Sequence, residues 1–396
     1  APEGEDITIV AAAEAGDATR LAAAALSADS APLAVLVGLQ QTFPAPGLAR
    51  SDVFSGALSL DAPARLLHGQ VKSWLRVVVA EEERSRRAAT IGSLRLPPPT
   101  APEPRPLKAL YIGAPSAMFL TIERAFAEHD GAVTAAFSSY AGFDHLHDEV
   151  FDSVVLNGSA DAHTALSLCA ALRRNASLCS LPTMFIAAPG DAKSAEIAVA
   201  RGASAVAFAD ERCGPALGWL FEAIRRDRRR RAAEHDIRAL RDLMGDPRTG
   251  LFKRESFDAH LMRLAADHHA SGRPLSLSVL RVLPAHGARQ PAEDIWKRGF
   301  TEICSLATRL IRECDSGAAL GADFLAVAMP ATRLAGAKRA GERIASVAEC
   351  TAFASGEGSS GPLVFEQNAV ELQPGEGGAA LLARALRALD AENIPA

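Results

Sequence analysis

The chain has 396 residues, enough for two or three domains that each bury a core. Apolar residues make up 48% and charged residues 22%, and a formal charge of −5 argues against a protein that coats nucleic acid or a membrane surface. The longest apolar runs, such as "APLAVLVGL", fall well short of the roughly 20 residues a membrane span needs, so no membrane insertion is expected.

No secretory signal pattern opens the chain, and "APEGEDITIV" lacks a starting Met, so the true N-terminus is expected upstream. The six cysteines (Cys169, Cys179, Cys213, Cys304, Cys314, Cys350) show no Cys-x-x-Cys spacing. They read as buried or idle thiols of a cytoplasmic protein. His145 and His147 in "DHLHDE" would face different sides of a helix, so this stretch reads as a polar surface turn. No metal and no cofactor are expected.

In chain order, "DITIV", "LAVLVG" and "SGALSL" read as strands. "DATRLAAAAL" is a helix between the first two, and "APARLLHGQVKSWLRVVVAEEERSRRAA" is a long closing helix. "LRLPPPTAPEPRP" (94–106) forbids a regular helix and favours extended chain, a linker that sets residues 1–93 apart. Beyond it, "LKALYIG", "AVTAAF", "FDSVVLNG", "LPTMFIAA" and "ASAVAFA" are short apolar strands. Helices "SAMFLTIERAFAEH", "DAHTALSLCAALRRN", "AKSAEIAVARG" and "GPALGWLFEAIRRDRRRR" and a helical or turn region at 140–149 alternate with them. Such alternation means a parallel sheet covered on both faces, a flavodoxin-like doubly wound domain over 107–231.

This pattern resembles the response-regulator receiver domain. The resemblance implies a phosphorylation pocket at the strand ends, which needs paired acids, an acceptor Asp, a hydroxyl and a Lys. Here those positions hold Gly113 and Ala114, Asn157, Ala187 and Ala188, and Phe208 and Ala209. A divalent ion needs carboxylate oxygens, so the pocket is expected to be dead and the domain to serve packing and dimerisation. Residues 1–93 look like the second half of another receiver, with Ala11, Gly38 and Leu60 at the pocket positions; a slip in this alignment would bring in Asp6 or Asp17.

The run "RRDRRRR" (225–231) lacks interleaved aromatics and is surrounded by Glu222, Asp227, Glu234 and Asp236. It reads as a salt-bridged helix continuing through a connecting segment at 232–245 rather than a nucleic-acid contact.

From Asp246, "DPRTGLFKRESF" resembles the Asp-x-Leu-Thr-Gly-Leu-x-Asn-Arg opening of GGDEF-domain diguanylate cyclases. Asp246, Thr249, Gly250, Leu251 and Arg254 match, while Arg248 and Lys253 depart. Helix "FDAHLMRLAADHHA", strand "LSLSVLRV", helix "IWKRGFTEICSLATRLIREC", a hairpin at "GADFLAVAMP", helix "AGAKRAGERIASVAE", weakly patterned strands and "GGAALLARALRALDAEN" follow in the family's order. The resemblance implies an adenylyl-cyclase-like, ferredoxin-like α+β domain over 246–396. With the receiver-like units it suggests the PleD- and PopA-like group of response regulators.

In that family two Mg²⁺ held by carboxylates activate a ribose hydroxyl for attack on an α-phosphate. Here Arg281 stands at the first-strand ligand position, placing a positive charge where a dication belongs. The hairpin reads Gly321, Ala322, Asp323, Phe324 in place of Gly-Gly-Asp-Glu, and the guanine-reading Asn and Asp have no match beyond Glu293 or Asp294. Catalysis is expected to be absent.

The family's product site is an Arg-x-x-Asp pair five residues before the hairpin, and Arg312 and Asp315 keep that spacing. The resemblance implies that Arg312 forks onto a guanine edge or phosphate of cyclic di-GMP and that Asp315 accepts from guanine N–H groups. Such charge-assisted contacts contribute roughly 1.5–3 kcal/mol each. Arg343 falls where the family brings another arginine, with Arg339 one helical turn before it. An Arg and an Asp three apart can equally be a plain surface pair.

Three functions follow as alternatives. The first is a cyclic di-GMP-binding effector that pairs with itself through its receiver-like units and recruits signalling or cell-cycle proteins, with recruitment to a cell pole as one consequence. The second is a residual cyclase using Asp323, and the third a scaffold that binds no nucleotide.

Overall fold

The computed structural model describes residues 8–12, 34–38, 56–59, 64–97, 99, 105–284, 292–351 and 363–391. Leu60, Asp6 and Asp17 lie outside the described residues. The chain forms two compact units, one gathering Glu5–Val78 and Pro102–Ala232, the other Val79–Ala101 and Ala233–Ala396. Helices α1 (Ala64–Ser93) and α6 (Cys213–Met244) each contribute residues to both. Among the described residues no helix is long and apolar enough to cross a membrane.

In the first unit, β1 (Thr8–Ala12), β2 (Ala34–Gly38) and β3 (Gly56–Ser59) form a parallel sheet in the order β1-β2-β3. A second, five-stranded parallel sheet is built from β4 (Leu107–Ile112), β5 (Gly131–Ala136), β6 (Ser153–Asn157), β7 (Thr183–Ala187) and β8 (Ala205–Phe208). Its order, β5-β4-β6-β7-β8, is that of flavodoxin-like doubly wound folds. Helices α2 (Ala117–Ala127), α3 (Ser139–Asp148), α4 (Ala162–Arg174) and α5 (Ala192–Ala200) connect the strands.

The apolar runs become two cores because side chains alternate along a strand. Leu110, Ile112, Val154, Leu156 and Phe185 pack on one face with α4, whereas Ala109, Tyr111, Val155, Met184 and Ile186 pack on the other with Ile122 and Phe126 of α2. Ser138, Asp161 and Asp191 start α3, α4 and α5 by accepting the backbone N–H three residues on. The "DHLHDE" stretch is not a turn: Ser138 caps a helix that carries His145 and His147 in its last turn, where basic groups suit the helix dipole.

The arginine run is consumed internally. Asp152 is fully buried and accepts from Arg105 at 2.7 Å, Arg228 at 2.8 and 3.0 Å, Arg231 at 2.8 Å and the Lys108 N–H at 3.0 Å. Burial alone would raise this carboxyl, but the arginines and the Lys108 N–H hold it below its ordinary range. Arg225 and Arg226 pair with Glu222, and Arg230 and Arg231 with Asp227.

The second unit centres on an antiparallel sheet of order β10-β11-β9-β12: β9 (Leu275–Pro284), β10 (Ser316–Ala319), β11 (Phe324–Pro330) and β12 (Leu363–Glu371). Among the described residues, the weakly patterned segment after "AGAKRAGERIASVAE" holds one nine-residue strand. On one face, Leu277, Val279, Ala326 and Ala328 meet α7 (Arg254–Ser271), α10 (Gly378–Ala391) and Ile91, Leu240 and Met244 from α1 and α6. On the other, Leu280, Val282, Leu325 and Val327 meet α8 (Glu293–Leu310) and α9 (Leu334–Thr351).

All six cysteines are free, and burial pushes the Cys304 and Cys314 thiols up to about 12. No group of three or more potential metal ligands occurs among the described residues.

Candidate functional site

At the C-terminal end of β6, Asn157 is buried and committed to its neighbours. Its amide donates to Tyr111 Oη at 2.7 Å and the Ala114 carbonyl at 3.0 Å, and its carbonyl accepts from the Ser159 N–H and hydroxyl. Gly113 has φ +138°, and a Cβ there would lie 2.8 Å from both Asn157 Cβ and the Asn157 carbonyl oxygen. This backbone cannot carry the acid that metal binding needs at 113.

In the second unit the opening segment folds as a tight loop. The Gly250 N–H donates to the Asp246 carbonyl at 2.8 Å, Gly250 takes φ +70°, and Arg248 holds the Asp246 carboxyl below its usual range. The Phe252 N–H then donates to the Gly317 carbonyl at 2.8 Å, which docks the segment on β10. Thr308 on α8 donates to the Thr249 carbonyl from the other side.

The hairpin centre is organised around a cation of the protein itself. Strand register sets Arg281 of β9 opposite Phe324 of β11 and Glu366 of β12. Its guanidinium lies 3.9 Å from Asp323, 3.7 Å from Glu366 and 3.8 Å from Asp390, and 5.2 Å from the Phe324 ring centroid. Arginine offers no lone pair and keeps its charge, so it occupies the middle of the carboxylates that a metal would need. These residues do not fit a Mg²⁺ pair, whose oxygens must close to about 2.0–2.1 Å. Gly321 and Ala322 are exposed, and the Ala322 carbonyl accepts from Trp296 Nε1 at 3.0 Å. Glu293 and Asp294 stand exposed in the first turn of α8; residues 285–291 before them lie outside the described residues. Glu366, Asp390 and Trp296 carry no motif that singles them out. Only the β9–β12 register reveals Glu366.

Arg312 and Asp315 close a turn between α8 and β10. The Asp315 N–H donates to the Arg312 carbonyl at 2.9 Å, and the Arg312 N–H returns to Asp315 Oδ2 at 2.8 Å. Asp315 is only 8% exposed, so the structure places its carboxylate within the turn, with one oxygen already taken. Burial pushes this carboxyl up to about 6 despite the Arg312 N–H and the nearby Arg312 and Arg87 charges.

The turn rests on a buried network invisible in the sequence. Arg87 of α1 donates to the Glu313 carbonyl at 2.8 Å, the Asp315 carbonyl at 2.9 Å, the Ile237 carbonyl at 3.0 Å and Glu83 at 2.7 Å. Glu83 also meets His260 Nε2 at 3.0 Å, and His260 Nδ1 meets Thr90 Oγ1 at 3.2 Å. Burial would raise the Glu83 carboxyl, but His260 and Arg87 bring it down to about 2. In "EEERSRRAA" the Glu83–Arg87 spacing reads as an ordinary exposed i,i+4 pair.

The two further arginines singled out by the sequence lie on α9. Arg312, Arg339 and Arg343 are exposed, and Arg343 Nη2 donates to the Leu310 carbonyl at 2.7 Å, two residues from Arg312. Arg339 lies one turn earlier on α9. The recess beneath the turn, lined by Arg241, Gly250, Thr308, Arg312, Asp315 and Gly317, measures about 20 Å³, room for about one water.

No family model matches the chain, and no curated protein matches it. Solved structures similar to it include the GGDEF domain of DgcB from Caulobacter crescentus in complex with c-di-GMP (21% identity, TM-score 0.33, 38% of this chain and 86% of that one). Diguanylate cyclase SiaD in complex with its activator SiaC, from Pseudomonas aeruginosa, is similar at 22% identity and TM-score 0.33, over 44% of this chain and 68% of that one. The FimX GGDEF domain from Pseudomonas aeruginosa is similar at 20% identity and TM-score 0.31, over 37% of this chain and 92% of that one.

Proposed function

We propose that the chain is a cyclic di-GMP-binding effector whose second unit is a GGDEF domain with a retired catalytic centre. The observation that carries this reading is the contrast between two neighbouring places. At the hairpin, Arg281 sits among Asp323, Glu366 and Asp390 where metal ions would be required. At the adjacent turn Arg312 is exposed, Arg343 of α9 reaches the Leu310 carbonyl two residues away, and Arg339 is exposed one helical turn earlier on α9. Cyclic di-GMP carries two phosphates and two guanine edges, and planar guanidinium groups match both. Asp315 builds the turn that presents Arg312, and Arg87 holds that turn from within.

In this reading the first unit comprises receiver-like domains that have given up phosphorylation, since Gly113 and Asn157 replace the acids. They serve self-association and the docking of signalling or cell-cycle partners in the cytoplasm, with recruitment to a cell pole as one consequence.

The test is paired. Isothermal titration of the full chain with cyclic di-GMP should give saturable binding that Arg312→Ala abolishes. The same preparation with GTP and Mg²⁺ or Mn²⁺ should form no cyclic di-GMP. Absence of binding, or product formation lost in Asp323→Asn, would overturn the assignment.

A further inference from the structure

A cavity of about 360 Å³ opens in the first unit at the N-terminal ends of β7 and β8, the opposite end of the sheet from Gly113 and Asn157. Its wall carries six cations, Arg65, Lys72, Arg76, Arg173, Arg226 and Arg230, and a single acid, Asp227. Asp227 neutralises Arg230 at 2.7 Å, and Glu222 neutralises Arg226 at 3.2 Å. Arg173 is held by the Leu181 carbonyl and the Thr183 hydroxyl, at 2.9 and 2.8 Å, and has no ion pair among the described residues. Arg65, Lys72 and Arg76, on α1, likewise have none among the described residues. Among the described residues, then, four of the cavity's cations have no ion pair, Arg173 feeling the charge of Asp227 without contacting it.

Hydrogen bonding on the wall is also incomplete. Gln70 Oε1, Arg173 Nε and Arg226 Nε are buried without a partner among the described residues. Gln70 is 5% exposed and Arg226 3%. Buried polar atoms are rarely left so, and each orphan states what a ligand should bring. The two arginine nitrogens call for acceptors, which phosphate oxygens supply. Gln70 Oε1 calls for a donor, which a phosphate ionised at neutral pH lacks and a nucleobase amine or ribose hydroxyl has. Leu66, Pro182, Val199, Ala203 and Ala223 give the same cavity an apolar wall for a ring. Its volume falls within the ~300–1,000 Å³ of small-molecule sites.

We propose that this cavity binds a nucleoside polyphosphate, with the phosphates on Arg65, Lys72, Arg76 and Arg173 and the nucleoside toward Gln70 and the apolar wall. The site is independent of the Arg312 turn, which belongs to the other unit.

Titration of the full chain with ATP and with pyrophosphate tests it. ATP should bind saturably, one per chain, and at least about tenfold more tightly than pyrophosphate, which lacks the nucleoside. The double variant Lys72→Glu/Arg76→Glu changes two exposed side chains and should keep its melting temperature. It should weaken ATP binding by at least about tenfold, the loss expected for charge-assisted contacts. Gln70→Leu, which removes the orphan acceptor, should also weaken ATP while leaving pyrophosphate unchanged. Arg312→Ala should leave ATP binding intact. No binding of ATP, binding indifferent to the Lys72 and Arg76 changes, pyrophosphate as tight as ATP, or loss of ATP binding in Arg312→Ala would overturn the proposal.

Discussion

At Asp315 the demands of a turn and of a buried charge meet. The Arg312 N–H needs an acceptor, and the carboxylate supplies one from a position that is only 8% exposed. Burial raises the carboxyl from its ordinary 3.8 to about 6, so the folded state holds the proton more tightly than the unfolded chain does. Asp315 therefore contributes stability that is fully present below about pH 4 and is lost as pH rises through about 6. Asp315→Asn keeps an acceptor for the Arg312 N–H and removes the charge. Urea denaturation at pH 7 should find this variant as stable as the parent or more so, and without the parent's slope between about pH 4 and 6. Arg87→Ala should act in the opposite sense, because it leaves buried Glu83 without its 2.7 Å partner, with only His260 and the more distant Arg86 at 3.5 Å. A loss of about 3–5 kcal/mol is expected, as when one partner of a buried ion pair is removed. The two residues also differ in legibility. Arg312 and Asp315 stand out by their spacing to the hairpin, whereas Glu83, Arg87 and His260 are joined only by tertiary packing.

At the scale of elements, the strands of the five-stranded sheet are legible because both faces are covered and "SVVLN" and "TMFIA" have no polar alternation to confuse them. The helix α3 is legible only as a helical or turn region, since its polar "DHLHD" segment masks a periodicity completed by Ala141 and Leu146 against the core. The β12 strand is half exposed and polar, and its identity comes from pairing with β9 over nine residues. The arginine run of α6 shows the same limit. Its charges read as a solvated, salt-bridged face, and the pairs with Glu222 and Asp227 agree, but nothing in the run reveals that Arg228 and Arg231 converge on buried Asp152. Asp152→Ala should therefore destabilise the first unit by about 3 kcal/mol in thermal or chemical unfolding, more than loss of an exposed pair would. Introducing an acid by Gly113→Asp should not create a metal site. With φ +138° and a contact of 2.8 Å to Asn157, it should cost about 1–3 kcal/mol and confer no Mg²⁺ binding in a titration.

Over the whole molecule, two titrations oppose each other within the second unit. Glu83, lowered from 4.5 to about 2, contributes stability present above about pH 4.5 and lost as pH falls toward 2. Asp315 works the other way between about 4 and 6, and each is on the order of 3 kcal/mol. For these two groups together, stability should peak near pH 4 to 5, a maximum that Asp315→Asn would broaden toward neutrality. The proline segment at 94–106 announces a break, but helical periodicity does not say with which body each stretch of α1 or α6 packs. The central claim, a retained ligand turn beside a retired catalytic centre, is tested most directly by calorimetric titration of the full chain with cyclic di-GMP. The account predicts saturable binding at low micromolar concentration or tighter, about 8 kcal/mol or more. No heat of binding at saturating ligand would contradict it.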